Sequence, residues 1–276
     1  MTIALPLATV GSMNGLANSP DPSPWPLKAV AIAVICAAAF SYTFVPVRAC
    51  NDVWWHLKTG QLIVERGLSL PRNDEFTFTG ENIAWHNHEW LSQVVLYRLF
   101  QWGGGRASDL IGLRSVIGVV SVLSVLTFLL VLALVQLRCK CLPIAALITL
   151  LALDVSRLNL YPRPPAVSYL FTAFFLLLLC QWKSGRRHAR TLLVLPPLTA
   201  IWANLHGGFV VGLILVACYL IGEIARHFLV RKRSGANALT HVDADLSEAA
   251  ILSDEHEPVA DHKGAFKSRL LWLSAL

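Results

Sequence analysis

Charge is scarce in this chain. Only 14% of its 276 residues are Asp, Glu, Lys or Arg, while 55% are hydrophobic. So few charges cannot coat a soluble domain of this length, and the mean hydropathy is +0.56. Strict apolar/polar alternation is also missing, which excludes a transmembrane β-barrel. The six cysteines build no disulfide framework: Cys36, Cys180 and Cys218 lie inside apolar runs, Cys139 and Cys141 flank a basic loop, and Cys50 alone falls in the large polar loop. The first residues lack the basic segment of a secretory signal. They carry Pro20, Pro22, Pro24 and Pro26 instead, so 1–26 is predicted to be a disordered lead.

What the chain does have is long apolar runs. A helix needs roughly 20 apolar residues to cross a bilayer. Predicted spans are Leu27–Val47, Asp109–Leu137, Leu142–Leu160 and Pro164–Trp182. The next run, Leu192–Ala225, is about 34 residues, or roughly 51 Å as one helix. That overshoots a hydrocarbon core of about 30 Å.

Charge resolves this run into a hairpin. Lys183, Arg186, Arg187 and Arg190 precede it, and Arg226, Arg231, Lys232 and Arg233 follow it. Basic loops favour the cytoplasmic side, so both clusters stay inside if the chain turns at Asn204–Gly208. The formal charge of +6 therefore marks membrane topology and does not point to nucleic acid. The expected architecture is all-α: a polytopic transmembrane helical bundle of about six spans over 27–233, with the N-terminus cytoplasmic. Residues 234–268 read as a flexible cytoplasmic loop, and 269–276 as the start of a seventh span cut short.

The external first loop, 48–108, is more than a linker. DVWWHLKTGQLIVERG suits a helix with Trp54, Leu57 and Val64 on one face. HEWLSQVVLYRLFQW suits a second helix with a polar stripe of Glu89, Gln93 and Gln101. Both are expected to lie in the interface. LPRNDEFTFTG, between them, is expected to be extended or turned.

This topology gathers the unusual polar residues on the outer side. Asp52, His56, Asp74, His86, His88 and Glu89 come from the first loop. Asp154, Arg157 and Arg163 lie where spans 3 and 4 meet, and Asn204 and His206 at the last turn. Ionisable groups at membrane depth usually pair or face a cavity. Arg157 and Arg163 break the positive-inside pattern, which suggests another task.

The segments NDVWWHLKTG, LPRNDEFTFTG, WHNHEWLSQ, YPRPP and WANLHGGF together resemble integral-membrane glycosyltransferases of the GT-C superfamily. The likeness is to uncharacterised bacterial members allied to the protein mannosyltransferase and lipopolysaccharide-core glycosyltransferase groups, over about Leu27–Glu223. The resemblance implies a polyprenyl-phosphate-linked sugar as donor, an acceptor it does not name, and an active site on the extracytoplasmic face of the bacterial inner membrane. It implies that Asp52 is the catalytic base or a metal ligand, with Asp74 a second acidic position. It leaves a divalent cation open.

The residue types agree with that chemistry. Sugar transfer to a hydroxyl needs a proton acceptor, which Asp52 supplies. Arg157 and Arg163 suit the departing lipid phosphate, because guanidinium binds its oxygens in pairs. His206 and Asn204 can hydrogen-bond phosphate or sugar. Each residue also has a plainer reading. Asp74 can cap an Asx-turn, the arginines can snorkel to headgroups, and the tryptophans can form an interfacial belt. His86, His88 and Glu89 can ligate zinc, although HNHE lacks a familiar ligand spacing. A transporter subunit and a non-catalytic membrane scaffold are the alternatives from other classes.

Overall fold

A computed structural model of the chain describes residues 23–44, 51–79 and 83–248. Eight α-helices follow in order: α1 Trp25–Phe44, α2 Asn51–Glu65, α3 Trp90–Phe100, α4 Asp109–Gln136, α5 Leu142–Ser156, α6 Pro165–Lys183, α7 Leu195–Leu205 and α8 Phe209–Glu248. Among the described residues there is no β-strand, only a single bridge between Asn73 and Ala84. The all-α architecture stands.

Among the described residues five helices are long and apolar enough to cross a membrane: Trp25–Phe44, Asp109–Gln136, Leu142–Asn159, Pro165–Lys183 and Phe209–Val230. The expected count of about six meets a shorter element at 192–203. α7 has 11 residues, about 16 Å of rise. Pro196 and Pro197 occupy its first turn, where their missing N–H groups cost nothing. A six-residue 3-10 helix, Ala189–Val194, precedes it and adds about 12 Å. The composite rod is thus a little shorter than the hydrocarbon core.

α4 is the central post. Its residues Phe128 and Leu132 join Ile35 and Ala39 of α1 and Leu142, Ala145 and Leu153 of α5 in one apolar cluster. At its other end Leu113, Val116 and Ile117 meet Val53 and Leu57 of α2 and Leu96 of α3. A third cluster joins α6 to α7 through Phe175, Leu179, Leu195 and Trp202. Several hydroxyls in the spans are satisfied by their own helices: Ser121 donates to the Ile117 carbonyl at 2.9 Å and Thr127 to Leu123 at 2.8 Å. Large apolar side chains face outward instead, among them Val34 and Phe40 of α1, Leu147 and Leu151 of α5, and Ile214 and Ile221 of α8. That inverts the pattern of a soluble protein and suits contact with lipid. Glu223 of α8 is buried, and is matched by Lys183 of α6 and by Arg226 at 3.0 Å.

The first loop holds two helices, as expected. The buried face of α2 is carried by Val53, Leu57, Gly60 and Ile63, not by Trp54, which is 41% exposed. Positions 53, 57 and 60 share a helical face; Trp54 lies a third of a turn away. Gly60 is needed for close packing, because a Cβ there would run into the Gln93 carbonyl and Tyr97 of α3.

Other expectations change or fall outside the described residues. α8 runs to Glu248, so residues 234–248, expected as loop, are helical. The stretch is proline-free and follows an anchored span, so the helix propagates without a new nucleus. Residues 1–22 of the predicted lead, 45–47 of span 1, Cys50, the rest of the 234–268 loop and the expected span start at 269–276 lie outside the described residues.

Candidate functional site

Two polar clusters meet where α2, α3, α6 and the α7–α8 turn converge. The first is an ion pair between Asp52, in the first turn of α2, and Arg163, whose Nη1 is 2.8 Å from Oδ2. They are 111 residues apart in sequence. Arg163 stands in the YPRPP turn, where its N–H donates to the Tyr161 carbonyl at 2.8 Å and its guanidinium lies 5.4 Å from the Tyr161 ring centre. Pro164 and Pro165 follow and offer no N–H, so the guanidinium is the donor that this turn presents.

The second cluster surrounds Glu89. His206 Nε2 lies 3.4 Å from its Oε1, His88 Nε2 3.7 Å from the same oxygen, and His56 Nδ1 3.8 Å from Oε2. His56 sits one helical turn beyond Asp52 on α2 and joins the two clusters. Burial raises the Glu89 carboxyl above its ordinary range, with His88 pulling weakly the other way. Burial likewise pushes His56 down to about 4; Asp52 opposes this, and Arg163 and His206 reinforce it.

The tautomer of His206 follows from its neighbours. The Gly208 N–H donates to its Nδ1 at 2.9 Å, and a backbone N–H can only donate. Nδ1 is therefore the bare nitrogen, and the proton sits on Nε2, facing Glu89. Ser168 Oγ, 2.7 Å from Nδ1, accepts the Trp202 indole N–H at 2.7 Å and so turns its own proton toward the ring. Burial, then His88, keeps His206 below its usual pKa. Gly208 allows this approach: a Cβ there would collide with Ser168 Oγ.

Among the described residues, no set of three His, Cys, Asp or Glu side chains is placed to hold a metal ion. The nitrogen that His206 turns toward Glu89 carries a proton and has no lone pair to give. His86 is exposed, and the histidines paired with Glu89 among the described residues are His56, His88 and His206. The HNHE segment thus places its acid among histidines without forming a ligand set.

Of the expected residues, Asp52, Arg163, His56, His88, Glu89 and His206 come together. Asn204 borders them, its Oδ1 accepting the Trp90 indole N–H at 2.9 Å. Three do not join. Asp74 caps a local turn, accepting the N–H groups of Phe76 at 2.8 Å and Thr77 at 3.1 Å. Bonds from Thr77 and Phe76 hold its carboxyl below the usual range. Arg157 pairs with Asp154 one turn back at 3.3 Å, and Asp154 also accepts the Tyr42 hydroxyl at 3.1 Å. His86 faces an open groove. Ser168, Trp202, Asn87 and Gln93 belong to the network unannounced. Asn87 donates to Gln93 Oε1 at 2.6 Å, and Gln93 Nε2 lies 3.5 Å from His56 Nδ1. Gln93 was visible in the polar stripe of α3; Ser168 looks like any small residue in an apolar span.

The His56 environment has a measurable consequence. Between pH 6.5 and about 4 the unfolded chain binds a proton that the folded chain refuses. Stability contributed by His56 is therefore lost as pH falls through that window. His56→Gln is expected to flatten the drop in melting temperature there, and the His56 ring signals in NMR spectra should stay those of neutral imidazole at pH 5.5.

No protein-family model matches this chain, and no curated protein or solved structure matches it, so its chemistry is argued from the site itself.

Proposed function

We propose that this protein transfers a sugar from a polyprenyl-phosphate donor to an acceptor hydroxyl at the extracytoplasmic face of a bacterial inner membrane. The observation that carries the reading is the Asp52–Arg163 pair at the rim of a membrane bundle. A carboxylate that can take a proton is held by a guanidinium that can take a phosphate.

The resting ion pair supplies an order of events. A lipid phosphate competes for Arg163 and draws the guanidinium off Asp52. Asp52 is then free to accept the acceptor hydroxyl proton. The new bond forms between the acceptor oxygen and the anomeric carbon as the bond from that carbon to the phosphate oxygen breaks. Polyprenyl phosphate leaves with its charge against Arg163. Glu89, within 3.8 Å of His56 and 3.4 Å of His206, is a second carboxylate available to the site.

A cleft of about 360 Å³ between α4, α5 and α6 suits the lipid tail. It is lined by Phe128, Val131, Leu134, Leu160 and Leu176. The hydroxyls of Thr127 and Ser156 on its wall are turned back onto the carbonyls of Leu123 and Ala152, so these two present little polarity to a tail.

Two experiments test the reading. Reconstituted protein should liberate polyprenyl phosphate from polyprenyl-phosphate hexoses, and Asp52→Asn should reduce it steeply; release that ignores Asp52 removes Asp52 as the base, and no release at all favours a scaffold. For orientation, single cysteines at Thr79, Leu158 and His188 in a cysteine-free background meet an impermeant thiol reagent on intact cells. Labelling at 79 and 158 but not 188 is expected. The reverse pattern would place the site in the cytoplasm.

A further inference from the structure

A groove of about 660 Å³ opens on the loop side of the Glu89 cluster, within the size range of small-ligand sites. We infer that it binds a saccharide carrying a negative charge, a carboxylate or a phosphate, and that it is the acceptor subsite. Arg72, Trp85, His86, Asn87 and His88 line it.

The walls are built, not incidental. The Trp85 N–H donates to the Arg72 carbonyl at 2.8 Å, and the Asp74 N–H to Ile83 at 3.0 Å, so two segments of the loop are tied across the groove. The Trp85 ring is buttressed edge-on by Trp55 at 6.1 Å and Phe76 at 6.0 Å. A fixed indole at a groove wall offers a flat apolar face to the C–H side of a sugar ring. Asn87 is committed inward to Gln93 and to the Glu89 N–H, at 2.6 and 3.2 Å, which leaves the outer donors to Arg72 and the two imidazoles.

Charge selects the ligand. Among the described residues no Asp or Glu lines the groove. Of the described acids in this loop, Asp74 is occupied by its own turn, Glu75 by a two-pronged pair with Arg66, and Glu89 stands behind His88 among the histidines. Arg72 is exposed and its guanidinium has no hydrogen-bond or ion-pair partner among the described residues. An uncommitted guanidinium beside an aromatic wall matches a sugar bearing a planar carboxylate or a phosphate. His88 stands at the inner end, 3.7 Å from Glu89, so a sugar seated here points a hydroxyl toward the carboxylates.

The name acceptor subsite rests on the transferase reading; the binding claim does not. The test is calorimetry on the full chain in lipid nanodiscs without donor. Probes are trigalacturonate against its methyl ester, and mannose 6-phosphate against mannose. At least one charged probe should bind about tenfold or more tighter than its neutral twin, and Arg72→Ala should close that gap. Which pair shows the gap distinguishes carboxylate from phosphate. Equal binding within both pairs, no binding, or a gap that survives Arg72→Ala overturns the inference. Charged-sugar binding by a protein that never consumes donor lipid would sink the transferase and leave the groove standing.

Discussion

Asp52→Asn is expected to lower sugar transfer by about 10²–10⁴-fold, the usual worth of a positioned general base. Asparagine keeps the shape and can still accept a hydrogen bond from Arg163, so the fold should survive. Asp52 is 57% exposed at its side chain, and no buried charge is stranded by the change. The loss should fall on kcat more than on KM, because the proton moves only in the transition state. Arg163→Ala should behave differently. It removes the phosphate clamp, so donor affinity falls together with rate. A variant pair that splits in this way distinguishes proton acceptor from anion holder; identical profiles would merge the two roles and contradict the assignment.

Trp202→Ala is expected to be the most damaging single change to the fold near the site. Trp202 is fully buried, packs against Phe171 and Phe175 at 5.4 Å, and donates its indole N–H to Ser168. Truncating a buried Trp costs roughly 3–5 kcal/mol in water-soluble proteins. In a bilayer the transfer component shrinks, since lipid is as apolar as the core. The lower end, about 3 kcal/mol, is the expectation, most of it from the cavity. Trp202→Phe fills part of that space and loses the N–H and the remaining indole volume, for about 1–2 kcal/mol. Chemical denaturation in mild detergent measures both. The Ser168 hydroxyl would also lose its donor in each variant, so the His206 ring signals should shift even where stability is nearly kept. Unchanged His206 spectra in Trp202→Phe would break the proposed link from Trp202 to the site.

Much of this was legible in the sequence because it is local. Hydropathy finds a span wherever twenty apolar residues run together, and the limits of α4, α5 and α6 lie close to those read from it. The break at Asn204–Gly208 is visible because glycine and polar residues interrupt an apolar run. Shortening of α7 is harder to foresee. Pro196 and Pro197 mark a helix start, but the 3-10 turn before them depends on packing. Site membership is harder still, since it depends on partners far along the chain. Asp52 finds Arg163 across 111 residues, whereas Asp74 and Arg157, equally suitable by type, are taken by neighbours two to three residues away. Local partners win when geometry allows, because they cost little chain entropy to reach.

The central claim is that Arg163 meets a lipid phosphate, and polyprenyl phosphate tests it whatever the sugar or acceptor. The measurement is native mass spectrometry of polyprenyl phosphate bound to the wild-type chain and to Arg163→Ala, both in nanodiscs. One bound lipid is expected on the wild type, with affinity reduced roughly 10- to 100-fold in the variant, as for loss of a charge-assisted contact. Equal occupancy of the two proteins, or none on either, would contradict the account.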